Sequence, residues 1–127
     1  MTRRIVKTDQ APDPVGPYNQ AVIANGMVYT AGQIAIDPST NQLMAGTVEE
    51  QAHQVLKNLG AVLAEAGSSF GKIVKTTIYL KSMDDFSAVN AIYGTFFSED
   101  APARSTVEVS RLPKDVLVEI DCIAIVD

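Results

Sequence analysis

Tryptophan is absent from this chain, and cysteine and histidine occur once each. A lone cysteine, Cys122, closes no internal disulfide, which fits a reducing compartment and predicts a cytoplasmic protein. One cysteine and one histidine are too few for a zinc site of the usual composition, so no metal is expected. Positive charge is also scarce. Ten lysines and arginines stand against fifteen acidic residues, a net charge of −5. The basic residues are scattered and form no stripe of the kind that tracks a phosphate backbone, so no nucleic-acid partner is expected. The acidic balance disfavours anionic membrane surfaces. No apolar run reaches the length of a spanning helix, and the first residues lack the apolar core of a signal peptide. Repeats, low-complexity tracts and phosphate-cradling glycine motifs are missing as well, and Gly32 and Gly94 stand alone.

What remains is a chain of 127 residues, 46% hydrophobic and 20% charged. It is long enough to bury a core as one globular domain spanning residues 1–127. A short strand at Ile5 and Val6 precedes a loop marked by Pro12, Pro14, Gly16 and Pro17. Two strands, 20–24 and 27–36, join at Asn25-Gly26, the strongest short hairpin signal. A turn over 37–41 leads to an extended piece near Leu43. A helix is predicted from Val48 to Ala66, opened by the capping box of Thr47 and Glu50 and closed by Gly67. Its stripe is Ala52, Val55, Leu56, Leu59, Val62, Leu63 and Ala66. His53 lies beside the stripe as a surface residue, with no acid or nucleophile spaced to meet it. A strand follows over 73–81, with Val74, Thr76, Ile78 and Leu80 on one face. A second helix is predicted from Met83 to Phe97, capped by Ser82, with a stripe of Phe86, Val89, Tyr93, Phe96 and Phe97. Asn90 falls inside that stripe, either satisfied by backbone or facing a ligand.

The last two predicted strands are 104–111 and 116–126, joined by Leu112-Pro113-Lys114-Asp115. Val107 and Val109 alternate with Thr106 and Glu108, so Arg104, Thr106 and Glu108 share a face of a half-buried strand. A guanidinium at a strand mouth is a permanently charged fork that matches a carboxylate. In the last strand Val116, Val118, Ile120, Cys122, Ala124 and Val126 form one face, with Cys122 a small core hydrophobe. Leu117, Ile123 and Ile125 line the other face, interrupted by Glu119 and Asp121. These carboxylates either pair, with Arg104 or Arg111, or titrate upward through burial. A strand apolar on both faces needs cover on both. Two helices cover one side of a sheet, so a second copy is expected on the other.

Three segments resemble the RidA/YjgF family of reactive-intermediate deaminases. They are Gly16-Pro17-Tyr18-Asn19-Gln20-Ala21, Tyr29-Thr30-Ala31-Gly32-Gln33-Ile34, and Pro102-Ala103-Arg104-Ser105-Thr106-Val107-Glu108-Val109 with Leu112-Pro113 and Val118-Glu119-Ile120. Their order and spacing span nearly the whole chain. The resemblance implies an α+β, chorismate-mutase-like fold: a mixed six-stranded sheet with two helices on one face. It implies a homotrimer whose sheets form a central barrel, with clefts shared between subunits. The implied activity is hydrolysis of 2-imino or enamine acids, such as 2-iminobutanoate and 2-iminopropanoate, to 2-oxo acids and ammonia, with no cofactor. By the same resemblance Arg104 binds the substrate carboxylate, Glu119 activates water and relays its proton, and Tyr18 closes the pocket. The backbone of Gly32 and Thr106 would hydrogen-bond the ligand, and Asn90 and Phe86 would line the cleft. Thr106, Ala31 and Asn19 stand where the family often has cysteine, serine and serine. A different class of function is a non-catalytic module that binds small carboxylates or regulates by occupancy. Nuclease or translational-inhibitor activity, ascribed to some family members, finds no support in a net charge of −5.

Overall fold

The computed structural model describes residues 2–97 and 99–127. Its strands are β1 (Arg4–Val6), β2 (Ala21–Ala24), β3 (Met27–Thr30), β4 (Ile36–Asp37), β5 (Gln42–Leu43), β6 (Ile73–Leu80), β7 (Ala103–Glu108) and β8 (Val118–Ile125). The helices are α1 (Val48–Ala66) and α2 (Phe86–Gly94). Six strands form one sheet in the order β1-β2-β3-β8-β6-β7, and β4-β5 is a separate hairpin. Every pairing in the large sheet is antiparallel except β6 with β7. That parallel pair needs a crossover, which α2 supplies. Among the described residues no helix is long and apolar enough to cross a membrane.

Local signals set α1. Glu50 N–H donates to Thr47 Oγ1 (3.1 Å), and Glu50 Oε1 accepts from Thr47 N–H (3.0 Å). At the other end Gly67 takes φ of 82°, where a β-carbon would be strained. Val55, Leu56, Leu59, Val62 and Leu63 are fully buried, each contributing roughly 1.5–3 kcal/mol over an exposed position. They pack on Val28 of β3 and on Val118, Ile120 and Ala124 of β8, all without solvent contact. At the β2–β3 turn Asn25 and Gly26 have φ of 53° and 74°, the geometry a two-residue hairpin requires.

The predicted strand over 27–36 is divided. β3 ends at Thr30, and the chain then leaves the sheet edge, held by paired hydrogen bonds between Gln33 and Ile120 (2.9 and 3.2 Å). Asn58 of α1 completes the detour, donating to the carbonyls of Ile34 (3.2 Å) and Ile36 (2.9 Å). α2 is shorter than the stripe suggests. A 3-10 turn occupies Met83–Asp85, and the helix ends at Gly94, where the Thr95 hydroxyl bonds the carbonyl of Ile92 (2.6 Å). A bulge between Ile73 and Lys75 breaks the β6–β8 register, so Val74 turns outward and is 40% exposed, not aligned with Thr76, Ile78 and Leu80.

β7 stops at Glu108 because its partner β6 stops at Leu80. β8 starts at Val118, after a turn over Pro113–Asp115 in which Lys114 and Asp115 both have φ of 55°. Val116 precedes the strand but is buried. The helices cover the face carrying Thr76, Ile78, Leu80, Val118, Ile120 and Cys122. Arg104 and Thr106 belong to that face by register, and Val107 does not; it is 41% exposed on the opposite side. That opposite face also carries Tyr29 and Ile125, each more than two-fifths exposed, and Glu119 and Asp121.

Candidate active site: two half-sites on opposite faces

The Arg104 half-site is built from β7 and α2. Arg104 stands beside Thr76 of β6, itself beside Cys122 of β8, so its side chain rises on the helix side. Its guanidinium carbon lies 4.9 Å from the ring centre of Tyr93 and 5.5 Å from that of Phe86. Nη1 donates to Asn90 Oδ1 (2.7 Å). The Tyr93 hydroxyl is tied to Thr76 Oγ1 (2.8 Å), and burial raises its pKa above the ordinary 10.0. Two stacked rings and an amide therefore orient the fork. The ion pairs among the described residues are Lys72–Asp127 and Arg111–Asp115, so Arg104 is paired with no carboxylate among them. Asn90 is exposed at the side of α2, outside the buried stripe of Val89 and Tyr93, and its amide oxygen serves Arg104. Phe86 stands at the rim, 36% exposed.

The second half-site is a pocket of about 400 Å³ that includes Tyr18, Ala31, Gly32, Lys114 and Glu119. Glu119 sits on the helix-free face of β8, in register with Tyr79. The Gln33–Ile120 pairing draws Gly32 against it. A β-carbon at position 32 would lie 2.8 Å from Glu119 Cδ, so the absence of a side chain at Gly32 is what lets the carboxylate approach here, and any larger residue would push it aside. Glu119 is half-buried, and desolvation first, then the Asp121 charge, raises its pKa above 4.5. Asp121 is raised by desolvation too, although the Tyr79 hydroxyl, which donates to its Oδ2 (3.0 Å), pulls the other way. A raised carboxylate at a pocket wall is a better base than a solvated one.

Tyr18 enters from the loop before β2. The Tyr18 N–H bonds the Gly16 carbonyl (2.8 Å), and the Tyr18 hydroxyl accepts from Val15 N–H (3.3 Å). Gln20, 2% exposed, fixes this loop from beneath. Its Oε1 accepts from Thr8 N–H (2.7 Å), and its Nε2 donates to the carbonyls of Thr8 (3.0 Å), Ala11 (3.3 Å) and Pro12 (2.9 Å).

The structure therefore sorts the expected site residues into two groups. Arg104, Thr106, Asn90 and Phe86 meet on one face of the sheet; Tyr18, Gly32 and Glu119 meet on the other. An ion pair of Glu119 with Arg104 or Arg111 does not form: Arg104 is across the sheet, and Arg111 pairs with Asp115 through Nε (2.8 Å). His53 is exposed on α1 against Phe96, away from both. Cys122 is buried with its thiol pushed up to about 12 and is chemically quiet. Sequence reasoning missed Lys114 at the pocket wall and the Tyr93–Thr76 brace under Arg104. The left-handed turn at Lys114 has no signature in residue type, whereas the position of Tyr93 on the α2 stripe was available.

A model of the family described as Endoribonuclease L-PSP matches residues 8–126. A RutC family protein of Synechocystis is 66% identical over 127 residues, covering 98% of each chain. The human 2-iminobutanoate/2-iminopropanoate deaminase is 45% identical over 125 residues, covering 98% of this chain and 91% of that one. Among solved structures, Escherichia coli TdcF with bound serine superposes with a TM-score of 0.93 at 41% identity, covering 98% of this chain and 99% of that one. A sheet with two helices, the two half-sites and these likenesses lead to one assignment: the chain belongs to the RidA/YjgF family.

Proposed function

We propose that this protein hydrolyses short 2-imino acids, 2-iminobutanoate and 2-iminopropanoate among them, to 2-oxo acids and ammonia. It works as a homotrimer in which the Arg104 half-site of one protomer closes on the Gly32–Glu119 pocket of its neighbour. The observation that carries this reading is the split itself. Among the described residues, an arginine presented by Phe86, Tyr93 and Asn90 is paired with no carboxylate, and a half-buried carboxylate beside Gly32 is paired with no cation. Each half supplies what the other lacks. The helix-free face, with Tyr29, Val107 and Ile125 exposed, supports burial against further copies.

In the composite cleft Arg104 binds the substrate carboxylate, which fixes the imine carbon over Glu119. Protonation of the imine nitrogen makes that carbon electrophilic. Water adds to it as Glu119 takes the water's proton, giving a carbinolamine. Glu119 then returns that proton to nitrogen. The C–N bond breaks, ammonia leaves, and the remaining hydroxyl proton departs as the carbonyl forms. One water is consumed, and no electrons are exchanged. A positioned acid–base group of this kind contributes roughly 10²–10⁴-fold.

The test is a coupled assay. A threonine dehydratase generates 2-iminobutanoate, and its decay is followed with and without this protein. Accelerated decay that is lost in Glu119→Gln supports the reading. Binding of 2-oxobutanoate with unaccelerated decay contradicts it and leaves a carboxylate-binding module.

A further inference from the structure

A polar pocket of about 500 Å³ lies outside both half-sites and shares no lining residue with either. Gln54, Lys57 and Asn58 of α1 form one side, and Asp37 and Ser39 of the β4–β5 hairpin form the other. Asn58 and Gln54 are buried amides, 1% and 7% exposed. The fold accounts for Asn58, which donates to the carbonyls of Ile34 and Ile36. With its N–H groups so engaged, Asn58 turns Oδ1 toward Gln54 and accepts from Nε2 (2.8 Å). That pairing orients the Gln54 amide and leaves its Oε1 with no donor among the described residues. Unlike Thr106 Oγ1, this oxygen is not sealed from solvent, so an entering group can reach it. A helix position this buried suits an apolar side chain, and an amide held there with its oxygen unserved is unfavourable. The fold does not explain Gln54; a ligand does.

The charges around the amide say what kind of ligand fits. Lys57 is exposed and enters neither ion pair found among the described residues. Asp37 Oδ1 accepts from both the N–H (2.9 Å) and the hydroxyl (2.7 Å) of Ser39, which leaves Oδ2 free. Those bonds first, with the Lys57 charge adding, hold the Asp37 pKa below its ordinary 3.8, so the carboxylate is ionised at neutral pH. The two charges are near enough to interact yet too far apart to pair. A simple anion or cation satisfies one of them and is repelled by the other, whereas a zwitterion bridges both. We infer that this pocket binds a free α-amino acid whose side chain ends in a hydroxyl or carboxamide. Its carboxylate meets Lys57, its ammonium donates to Asp37 Oδ2, and its side chain donates to Gln54 Oε1. The site takes neither its residues nor its chemistry from the deaminase reading and stands without it.

The test is a titration of ¹⁵N-labelled protein with L-threonine, read by NMR at the Gln54 side-chain amide and the Asp37 and Ser39 backbone amides. Saturable shifts are expected at all three, with a Kd on the order of 1 mM, the scale for so small a ligand on an open site. Threoninol, which lacks the carboxylate, and 3-hydroxybutanoate, which lacks the ammonium, should each bind about tenfold more weakly or worse. Lys57→Met and Asp37→Asn should weaken threonine about tenfold each. Both variants are expected to fold, since the Lys57 side chain is exposed and an asparagine oxygen still accepts from Ser39. Arg104→Ala should leave threonine binding unchanged, because the guanidinium belongs to another pocket. Absence of a saturable shift at Gln54 overturns the inference, as does wild-type affinity in both Lys57→Met and Asp37→Asn. Shifts abolished by Arg104→Ala overturn it too, because threonine then occupies the Arg104 cleft.

Discussion

Arg104 and Glu119 lie on opposite faces of one sheet. Arg104 is in register with Thr76 under the helix layer, whereas Glu119 is in register with Tyr79 on the face without helices. No rotamer of either crosses the backbone between them. A single substrate therefore meets both only if they come from different protomers, as the proposed trimer requires.

Arg104→Lys retains charge but loses the planar fork that stacks on Tyr93 and Phe86 and bonds Asn90. Its kcat/KM for 2-iminobutanoate is expected to fall by roughly ten- to a hundredfold, the worth of a charge-assisted hydrogen bond to a desolvated carboxylate. Steady-state kinetics with dehydratase-generated substrate measures it. Near-normal turnover places the carboxylate elsewhere.

Gly32→Ala puts a methyl group where the Glu119 carboxylate lies. The methyl displaces that side chain, and a shift of about 1 Å in a catalytic group costs on the order of 10²-fold in rate. The fold is expected to persist, because position 32 is outside the regular strands. Circular dichroism together with imine decay separates the two effects.

Acid affects turnover and stability through the same carboxylate. Glu119 accepts a proton only when ionised, so kcat/KM is expected to fall on the acid side at a pH above its ordinary 4.5. Asp121→Asn removes the repelling neighbour and should move that limb downward. For stability, a pKa raised in the folded state means that the protonated form is favoured there. The contribution is fully present below 4.5 and is lost as pH rises through the raised value. Glu119→Gln should therefore gain stability relative to wild type between about pH 4.5 and about pH 7. Urea denaturation at the two pH values tests the sign; a gap that narrows toward neutrality contradicts it.

Gln20→Leu removes the group that satisfies Thr8, Ala11 and Pro12 from within the core. Leaving those backbone groups unpaired is expected to cost roughly 2–3 kcal/mol. Since the same loop carries Tyr18, KM should rise as well. Denaturant midpoints at constant slope, with kinetics on the same sample, measure both.

Where structure is local, the sequence reveals it. The bounds of α1 follow from Thr47, Glu50 and Gly67, and the hairpin from Asn25-Gly26, because each signal acts within a few residues. Alternation likewise put Arg104 and Thr106 on one face of β7. It did not reveal which face the helices cover, since that depends on where α2 packs, and Val107 is consequently outward. The outward turn of Val74 depends on a bulge against β8, a relation between distant segments. Gln20, Gln51, Gln54 and Asn58 are buried polar residues whose partners are loop backbone or one another, and apolar periodicity is blind to them. The candidate site residues were legible through the family resemblance. Their separation by the sheet was not, because it emerges only from strand register.

The most direct test of a shared imine-hydrolysing site is subunit complementation. Arg104→Ala and Glu119→Gln are purified separately, each expected to leave imine decay near the uncatalysed rate. They are then mixed, unfolded and refolded together. Random reassembly places an intact Arg104 half-site against an intact Glu119 half-site in about a quarter of the clefts, so about a quarter of wild-type activity should return. Mixed assemblies, verified by mass, that remain as inactive as their parents would contradict a site built from two protomers.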